Sequence, residues 1–285
     1  MRIAWIGCGV MGKSMLLNLQ KGGHIVSAYN RTYEKAAPLL KQGIRVERTL
    51  RDCVKGAEII CTMVGYPKDV KESYEGNDGI FANAEPQSVL IDFTTSSPAL
   101  ANELYAAAKA KGFAMLDAPV SGGDSGARDA ALSIMVGGDE AVFERMQPIF
   151  SLLGTGIHYM GPAGCGQHTK ACNQIAVAGA VAAMSEALVY AKAVGLDAQK
   201  MLTAISGGAA GSWQINNTAP RVLAEDFAPG FYIKHFIKDM HIVQQEMEKQ
   251  GVQLDMLEAV CNMYEALANA GEENNGTQAL LHYYD

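Results

Sequence analysis

Near its start the sequence reads Arg2-Ile3-Ala4-Trp5-Ile6-Gly7-Cys8-Gly9-Val10-Met11-Gly12. The apolar run over Arg2–Ile6 predicts a β-strand, and the spacing of apolar residues over 10–20 predicts a helix directly after it. Between them the glycines fit the pattern GxGxxG, which is informative only where a strand precedes it and a helix follows. Both conditions are met here, so the segment predicts a phosphate-binding turn.

Each glycine of this turn has its own physical task. Gly7 permits the tight turn, Gly9 lets the backbone approach a pyrophosphate, and Gly12 allows the helix to pack closely on the strand. The helix that starts at Val10 and Met11 offers unpaired N–H groups and a partial positive charge to the phosphates. We therefore predict that these five residues bind a dinucleotide.

Strand and helix patterns alternate over the rest of the first half. Because such alternation is typical of a mostly parallel sheet covered on both faces, it predicts a doubly wound α/β domain of the Rossmann type. Further strands are predicted at residues 24–29, 58–63, 89–93, 113–118 and 132–136, with helices at 34–41, 98–111 and 140–153.

The second half has a different pattern. One helical segment without proline runs over residues 166–193 and is apolar around most of its circumference, so we expect it to be buried or packed against a partner chain. Helices at 198–205, 233–249 and 255–270 follow. We predict a dinucleotide-binding domain over residues 1–162 and an all-α domain over 163–285, joined by the long helix.

Composition excludes several classes of partner. The 285 residues carry a formal net charge of −7 without a basic stripe, so no nucleic-acid partner is expected. No apolar run is expected to span a membrane, and residues 3–6 are too short an apolar stretch for a signal peptide. The six cysteines and six histidines are scattered without disulfide or metal-ligand spacing. These features predict a cytoplasmic protein with no bound metal.

The residues after the second predicted strand bear on which dinucleotide binds. Sites specific for NAD place Asp or Glu there to bond the ribose 2′-hydroxyl. This chain has Asn30-Arg31-Thr32, in which the Arg31 guanidinium can pair with a 2′-phosphate and Thr32 can donate a hydrogen bond. We therefore predict NADP(H). The competing interpretation is that Arg31 is a solvated loop charge.

Two further segments carry polar groups of chemical interest. Asp117-Ala118-Pro119-Val120-Ser121-Gly122-Gly123 ends in a hydroxyl and two glycine amides, which can form a concave donor surface for a small anion. The run from Gly161 to Lys170 then leads into the long helix, where Lys170 is a lone cation among apolar residues. An amine in that setting is costly without partners, and Asn173 and Gln174 share its face. The competing interpretation is a lysine that extends to the surface.

Taken together, these motifs resemble the β-hydroxyacid dehydrogenase family, which includes 3-hydroxyisobutyrate dehydrogenase. The resemblance covers essentially the whole chain and is closest to the branch of tartronate semialdehyde reductase and glyoxylate/succinic semialdehyde reductase. In that branch Asn and Gln also follow the lysine by three and four positions, whereas many relatives have Asn at the fourth position, where this chain has Gln174. Both amides therefore stay candidates for substrate contact, with Asn173 favoured. The motifs are the GxGxMG turn, DAPVSGG, GxxGxGxxxK, Gly230-Phe231 with Lys238-Asp239, and the closing Ala279 to Tyr284.

The resemblance implies an NADPH-dependent reductase that acts reversibly on a small carboxylate-bearing aldehyde or 3-hydroxy acid. It also implies a homodimer or homotetramer. Lys170 would be the general acid and base, with Asn173 orienting the reacting oxygen. The remaining implied contacts are Ser121, Gly122, Gly123 and Gln174 with the substrate, and Met63, Val64, Thr94, Thr95 and Lys238 with the cofactor.

Two alternative functions compete with this interpretation. Imine reductases look similar but usually lack the lysine, so Lys170 argues against that activity. A catalytically inactive NADP-binding protein is the second alternative, and the joint presence of Ser121, Lys170 and Asn173 argues against it.

Overall fold

The computed structural model describes all 285 residues and divides them into two compact units, Met1–Lys170 and Ala171–Asp285. The division between these units falls inside the long helix. The domain boundary expected after residue 162 stays a prediction.

The first unit is built on one sheet of nine strands. Strand β1 (Arg2–Ile6) supplies alternate residues to two separate apolar clusters: Ile3 and Trp5 join one, and Ala4 and Ile6 join the other. This alternation follows from the two-residue period of a strand and shows that both faces of the sheet are covered. The strands are β1 (Arg2–Ile6), β2 (Ile25–Tyr29), β3 (Arg45–Glu47), β4 (Ile59–Thr62), β5 (Val89–Asp92), β6 (Ala114–Asp117), β7 (Val120–Ser121), β8 (Leu132–Gly138) and β9 (Gly154–Gly161).

The strand order confirms the predicted Rossmann-type architecture. Six parallel strands run in the order β3-β2-β1-β4-β5-β6. Beyond them β8 pairs antiparallel with β6 and β7, and parallel with β9. In sheets of this kind, ligands bind past the carboxyl ends of the strands where the order reverses, which here is the gap between β1 and β4.

Eight helices connect these strands. Three of the four helices predicted in this unit are confirmed, as Val10–Lys21, Pro98–Ala110 and Glu140–Phe150, but residues 34–41 do not form one α-helix. Instead α2 (Tyr33–Ala36) is a single short turn and a 3-10 helix, Ala37–Gln42, follows, because Pro38 lacks the N–H that would continue the α-helical bonding. The helices are α1 (Val10–Lys21), α2 (Tyr33–Ala36), α3 (Leu50–Val54), α4 (Pro67–Glu75), α5 (Ile80–Asn83), α6 (Pro98–Ala110), α7 (Gly123–Arg128) and α8 (Glu140–Phe150).

The second unit is entirely helical, as predicted. Its core includes one stripe of α9, in which Ala178, Val181, Met184 and Leu188 recur every three or four residues and are buried. The helices are α9 (Cys165–Ala193), which begins in the first unit, α10 (Ala198–Ser206), a π-helical turn at Gln214–Thr218, α11 (Ala219–Leu223), α12 (Ile233–Lys249), α13 (Asp255–Asn269) and a 3-10 helix at Thr277–Tyr284.

Helix α9 also bears on the expectation that no apolar run could span a membrane. With 29 residues it is long and apolar enough to cross a bilayer, by length and composition only. The expectation therefore does not hold for α9 on those two criteria. The indication of a membrane span is weak, because the core helix of a soluble protein meets the same criteria.

Candidate active site

The turn between β1 and α1 has the shape of a pyrophosphate cradle. A Cβ on Gly7 would lie 2.1 Å from the Met63 carbonyl oxygen, and one on Gly12 would lie 2.1 Å from the Gly7 oxygen. The chain itself therefore requires glycine at both positions. A Cβ on Gly9 would meet no atom within 4 Å, so Gly9 faces open space beside the start of α1. The first turn of α1 holds no acidic residue that would repel a phosphate.

Buried contacts hold this turn in place. The Trp5 indole nitrogen donates a hydrogen bond to the Gly7 oxygen over 2.9 Å, and its ring stacks on Phe93. The amide of Cys8 donates to Asn30 Oδ1 over 2.9 Å, and Asn30 Nδ2 donates to the Thr32 oxygen over 2.8 Å. Asn30 therefore ties the end of β2 to the glycine turn.

The structure gives Arg31 a partner that the sequence analysis did not consider. Its side chain is 77% exposed, and Nη1 lies 3.0 Å from Oδ1 of Asp69, in the first turn of α4. Thr32 beside it is exposed. A 2′-phosphate at this position would compete with the Asp69 carboxylate for the guanidinium.

The ends of β4 and β5 are joined by a buried polar network. The Thr62 hydroxyl donates to Asp92 Oδ1 over 2.7 Å, and the Thr94 amide donates to the same oxygen over 3.1 Å. The amide of Val64 donates to the Thr94 hydroxyl over 3.0 Å. Thr94 therefore supports the loop from within the protein, whereas Met63, Val64 and Thr95 are half-buried.

Asp92 provides a pH-dependent test of this network. Burial, the largest cause, raises the pKa of Asp92 from 3.8 to about 6. The native state thus holds the proton more tightly than the unfolded chain, so Asp92 contributes less stability as the pH rises from about 4 to about 6. Asp92→Asn, which keeps the Oδ1 acceptor, should raise the free energy of unfolding by about 1–3 kcal/mol at pH 8. The change should disappear near pH 4, as measured by denaturant unfolding of both proteins. An equal change at both pH values would contradict the ionisation argument.

The start of α9 is fixed by Asp117, a buried residue at the end of β6. Its Oδ1 accepts a hydrogen bond from the Gly164 amide over 2.8 Å, and its Oδ2 accepts one from the Gln167 amide over 2.9 Å. A Cβ on Gly166 would lie 2.7 Å from the backbone oxygen of Asp117. Burial, the largest cause, raises the pKa of the Asp117 carboxyl. Asp117 therefore binds one amide just before α9 and one in its first turn.

Gln167 gives the same helix a second attachment. Its Oε1 accepts a hydrogen bond from the Ser96 amide over 2.9 Å, and its Nε2 donates to the Thr94 oxygen over 2.8 Å. The start of α9 is thus bound both to β6 and to the loop after β5. Lys170 follows Gln167 by three residues and is only 7% exposed.

The segment that ends in Ser121-Gly122-Gly123 is also anchored. Ser121 ends β7 opposite Ser133 of β8, and α7 begins at Gly123. The Asn18 amide group of α1 donates to the Ala127 oxygen of α7 over 2.8 Å. All three residues of the predicted anion site are half-buried.

In the second unit, the side-chain amides of Asn173 and Gln174 belong to one chain of hydrogen bonds but are bonded differently. The Gln174 Nε2 donates to Asp239 Oδ2 over 2.6 Å, and its Oε1 accepts from Asn173 Nδ2 over 2.8 Å. Lys238 Nζ lies 2.8 Å from the other oxygen of Asp239. Gln174 and Asp239 are buried, whereas Asn173 is half-buried. Gln174 is thus engaged at both ends of its amide, while the oxygen of Asn173 stays outside this chain of bonds.

Comparison with known proteins finds family models that together match almost the whole chain. A family model described as the NAD binding domain of 6-phosphogluconate dehydrogenase matches residues 2–161. A second model, described as NAD-binding of NADP-dependent 3-hydroxyisobutyrate dehydrogenase, matches residues 164–284. This chain belongs to the β-hydroxyacid dehydrogenase family. The family resemblance predicted from the motifs is confirmed.

Individual relatives within the family are similar over nearly their full length. An uncharacterized oxidoreductase, YkwC of Bacillus subtilis, is 51% identical over 98% of this chain and 96% of its own. The 2-hydroxy-3-oxopropionate reductase of Escherichia coli is 36% identical over 98% of this chain and 94% of its own. A solved structure described as Mycobacterium tuberculosis 3-hydroxyisobutyrate dehydrogenase with L-serine has a TM-score of 0.89 at 31% identity, covering 99% of this chain and 98% of that one.

These findings establish the general class of this family member. It is an NAD(P)-dependent oxidoreductase of the 3-hydroxyacid dehydrogenase type, with a nicotinamide cofactor. In Rossmann sheets such a cofactor binds beyond the carboxyl ends of the strands. The residues that come shortly after the ends of β1, β2, β4 and β5 in this chain are Gly7, Asn30, Met63 and Thr94.

Proposed function

We propose that this chain is an NADPH-dependent reductase that acts reversibly on a small aldehyde bearing a carboxylate, or on the matching 3-hydroxy acid. The observation that carries the proposal is Lys170, a buried amine on a helix whose start is fixed by Asp117 and Gln167. A fixed cation of this kind stabilises negative charge on a carbonyl oxygen. The E. coli relative, whose name describes a 3-oxo acid reductase, supports the substrate class.

The cradle suits the pyrophosphate of a nicotinamide dinucleotide. Gly7, Gly9, Val10, Met11 and Gly12 would hold the pyrophosphate, since Gly9 leaves open space and the helix start carries no carboxylate. When bound, the nicotinamide supplies or accepts the hydride. The other residues that would contact or support the cofactor are Asn30, Arg31, Thr32, Met63, Val64, Thr94, Thr95 and Lys238.

The remaining residues bind the substrate and move a proton. Ser121 and the amides of Gly122 and Gly123 would hold the carboxylate through hydrogen bonds. In the reduction, Lys170 Nζ donates a proton to the carbonyl oxygen. In the reverse direction the neutral amine accepts the hydroxyl proton. Asn173 would orient the reacting oxygen, with Gln174 holding Asn173 in place.

A panel of reductase assays with NADPH tests this function. It should include glyoxylate, succinic semialdehyde, tartronate semialdehyde and methylmalonate semialdehyde, with a cyclic imine as the comparison substrate. We expect turnover of at least one aldehyde acid and none of the imine. Turnover of the imine alone would favour the imine reductase, and NADPH binding without any turnover would favour the inactive binding protein.

The nucleotide preference has a separate test at Arg31. Arg31→Ala removes a charged hydrogen-bonding partner of the 2′-phosphate, an interaction of about 1.5–3 kcal/mol. It should lower kcat/KM for NADPH roughly 10- to 100-fold and leave kcat/KM for NADH nearly unchanged. Asp69→Asn is the matched variant: it removes the competing carboxylate, so kcat/KM for NADPH should rise. If the ratio of kcat/KM for NADPH to kcat/KM for NADH were the same in Arg31→Ala as in the wild-type chain, Arg31 would be excluded as the determinant of nucleotide preference.

Exposed apolar residues lie at the end of α9. Tyr190 on α9 is exposed, as are Val194 and Leu196 just after it, and we propose that this apolar surface takes part in a homodimer or homotetramer. The six cysteines are all unpaired, which is typical of a reducing compartment and supports a cytoplasmic location.

A further inference from the structure

Three side chains of metal-binding type meet on the helical hairpin formed by α12 and α13. The Nε2 atom of His241, on α12, lies 2.7 Å from Oε1 of Glu265, on α13. Cys261 is four residues before Glu265, so both lie on one face of α13. The potential ligand atoms of the three residues all lie within 4.8 Å of one another.

The chemistry and geometry of this cluster suit a zinc-like ion. Thiolate, imidazole and carboxylate are the usual zinc ligands, and bonds of about 2.0–2.3 Å in a tetrahedron place ligand atoms about 3.3–3.8 Å apart. The imidazole and carboxylate would therefore separate by less than about 1 Å, and the thiol would move by about 1 Å at most. One thiolate and one carboxylate also balance the charge of a divalent cation.

The cluster is accessible to an ion from solvent. Cys261 is only 1% exposed, but the side chains of His241 and Glu265 are 45% and 42% exposed. His241 also lines an open cleft of about 690 Å³, with Gln244, Gln245 and Glu248 among the neighbouring polar side chains. The exposed parts of the His241 and Glu265 side chains leave the cluster open to a water molecule as the fourth ligand.

A second histidine–glutamate pair in the same unit shows what distinguishes this cluster. His282 Nδ1 lies 2.7 Å from Glu272 Oε2, the same separation as in the His241–Glu265 pair. That pair belongs to no comparable group of three ligands. The buried thiol is therefore the feature that turns the His241–Glu265 pair into a potential metal centre.

We propose that His241, Cys261 and Glu265 bind one divalent transition-metal ion, for which Zn²⁺ is the best match, with water as the fourth ligand. On binding, the Cys261 thiol becomes a thiolate and its proton passes to solvent, without any change of oxidation state. The ion would link α12 to α13. Because His241 follows Lys238 by three residues on α12, the link would also stiffen the helix that carries the Lys238–Asp239 pair.

Cobalt is the spectroscopic probe for this site. Co²⁺ is added to full-length, tag-free protein that has been treated with a chelator. We expect one Co²⁺ per chain, a thiolate-to-cobalt charge-transfer band and the visible bands of tetrahedral cobalt, all removed by an equivalent of Zn²⁺. Cys261→Ser should abolish the charge-transfer band. His241→Asn, at a half-exposed position with little effect on folding, should weaken binding at least about 100-fold.

Two matched variants keep the test specific. His282→Asn alters the histidine–glutamate pair outside the cluster, and Cys172→Ser removes an exposed thiol. Both should retain the charge-transfer band and the affinity of the wild-type chain. Zn²⁺ should also raise the melting temperature of the wild-type chain but not that of His241→Asn. Absence of the band, or its loss in Cys172→Ser with persistence in Cys261→Ser, would overturn the proposal.

Discussion

Replacing Lys170 with alanine should lower kcat by about 10²- to 10⁴-fold, the usual contribution of a positioned general acid or base. The dissociation constant of NADPH should change little, because the cradle lies at the start of α1 and not on α9. Steady-state kinetics with the best aldehyde of the panel, together with NADPH fluorescence titration, measure the two effects separately.

One further variant and a rescue experiment separate proton transfer from charge. Lys170→Arg keeps a cation, but a guanidinium does not release its proton at ordinary pH, so kcat should stay far below that of the wild-type chain. Added primary amines such as methylamine should partly restore turnover in Lys170→Ala, because they can supply the missing proton donor. Lys192→Ala, at an exposed lysine on the same helix, should leave kcat unchanged. Near-normal turnover in Lys170→Ala would mean that another group supplies the proton.

The parts of the fold that the sequence predicts well are those with a strong local pattern. The strand–turn–helix over residues 2–21 has a distinctive sequence because Gly7 adopts a positive φ that favours glycine, and a Cβ on Gly12 would clash with the Gly7 oxygen. Strand β9 was missed because three of its eight residues are glycine, which lowers the β-propensity on which strand prediction depends. β3 was missed as a strand of only three residues.

In the candidate site, too, the sequence predicts residues that lie within short motifs, but not the contacts between residues that are far apart in the chain. Lys170 and the predicted anion-binding segment, residues 121–123, lie in short motifs that the sequence shows directly. The contacts that hold them cannot be read in this way: Gln167 bonds to Thr94, which is 73 residues away in sequence, and Asp69 meets Arg31 across 38 residues. Asp117 was visible within its motif, but nothing in the sequence indicated that its carboxylate binds the start of α9.

The cluster of His241, Cys261 and Glu265 also depends on contacts between residues far apart in sequence. Sequence spacing predicted no bound metal because His241 stands 24 residues from Glu265, outside the short spacings of known zinc motifs. The pairing of α12 with α13 brings them together. A spacing rule tests only ligands that are neighbours in sequence, so it does not detect sites formed by the packing of two helices.

Replacing Asp117 with alanine is expected to have the second large effect. The change leaves the Gly164 and Gln167 amides buried without their acceptor. Each such loss costs about 1–3 kcal/mol, partly offset because burial of an ionised carboxylate is itself unfavourable. We expect a net loss of about 2–4 kcal/mol and a melting temperature lower by about 5–15 °C, as measured by circular dichroism.

The same variant tests whether Asp117 positions Lys170. Because the start of α9 loses its attachment to β6, kcat should fall even at temperatures where the variant is folded, whereas the NADPH dissociation constant should change much less. Asp117→Asn keeps one acceptor oxygen and should lie between the wild-type and alanine variants in both melting temperature and kcat. Asp129→Ala removes an exposed carboxylate that is paired only with its neighbour Arg128, so its effect should stay within about 1 kcal/mol. If Asp117→Ala lowered the melting temperature but left kcat intact below it, Asp117 would stabilise the fold without positioning the lysine.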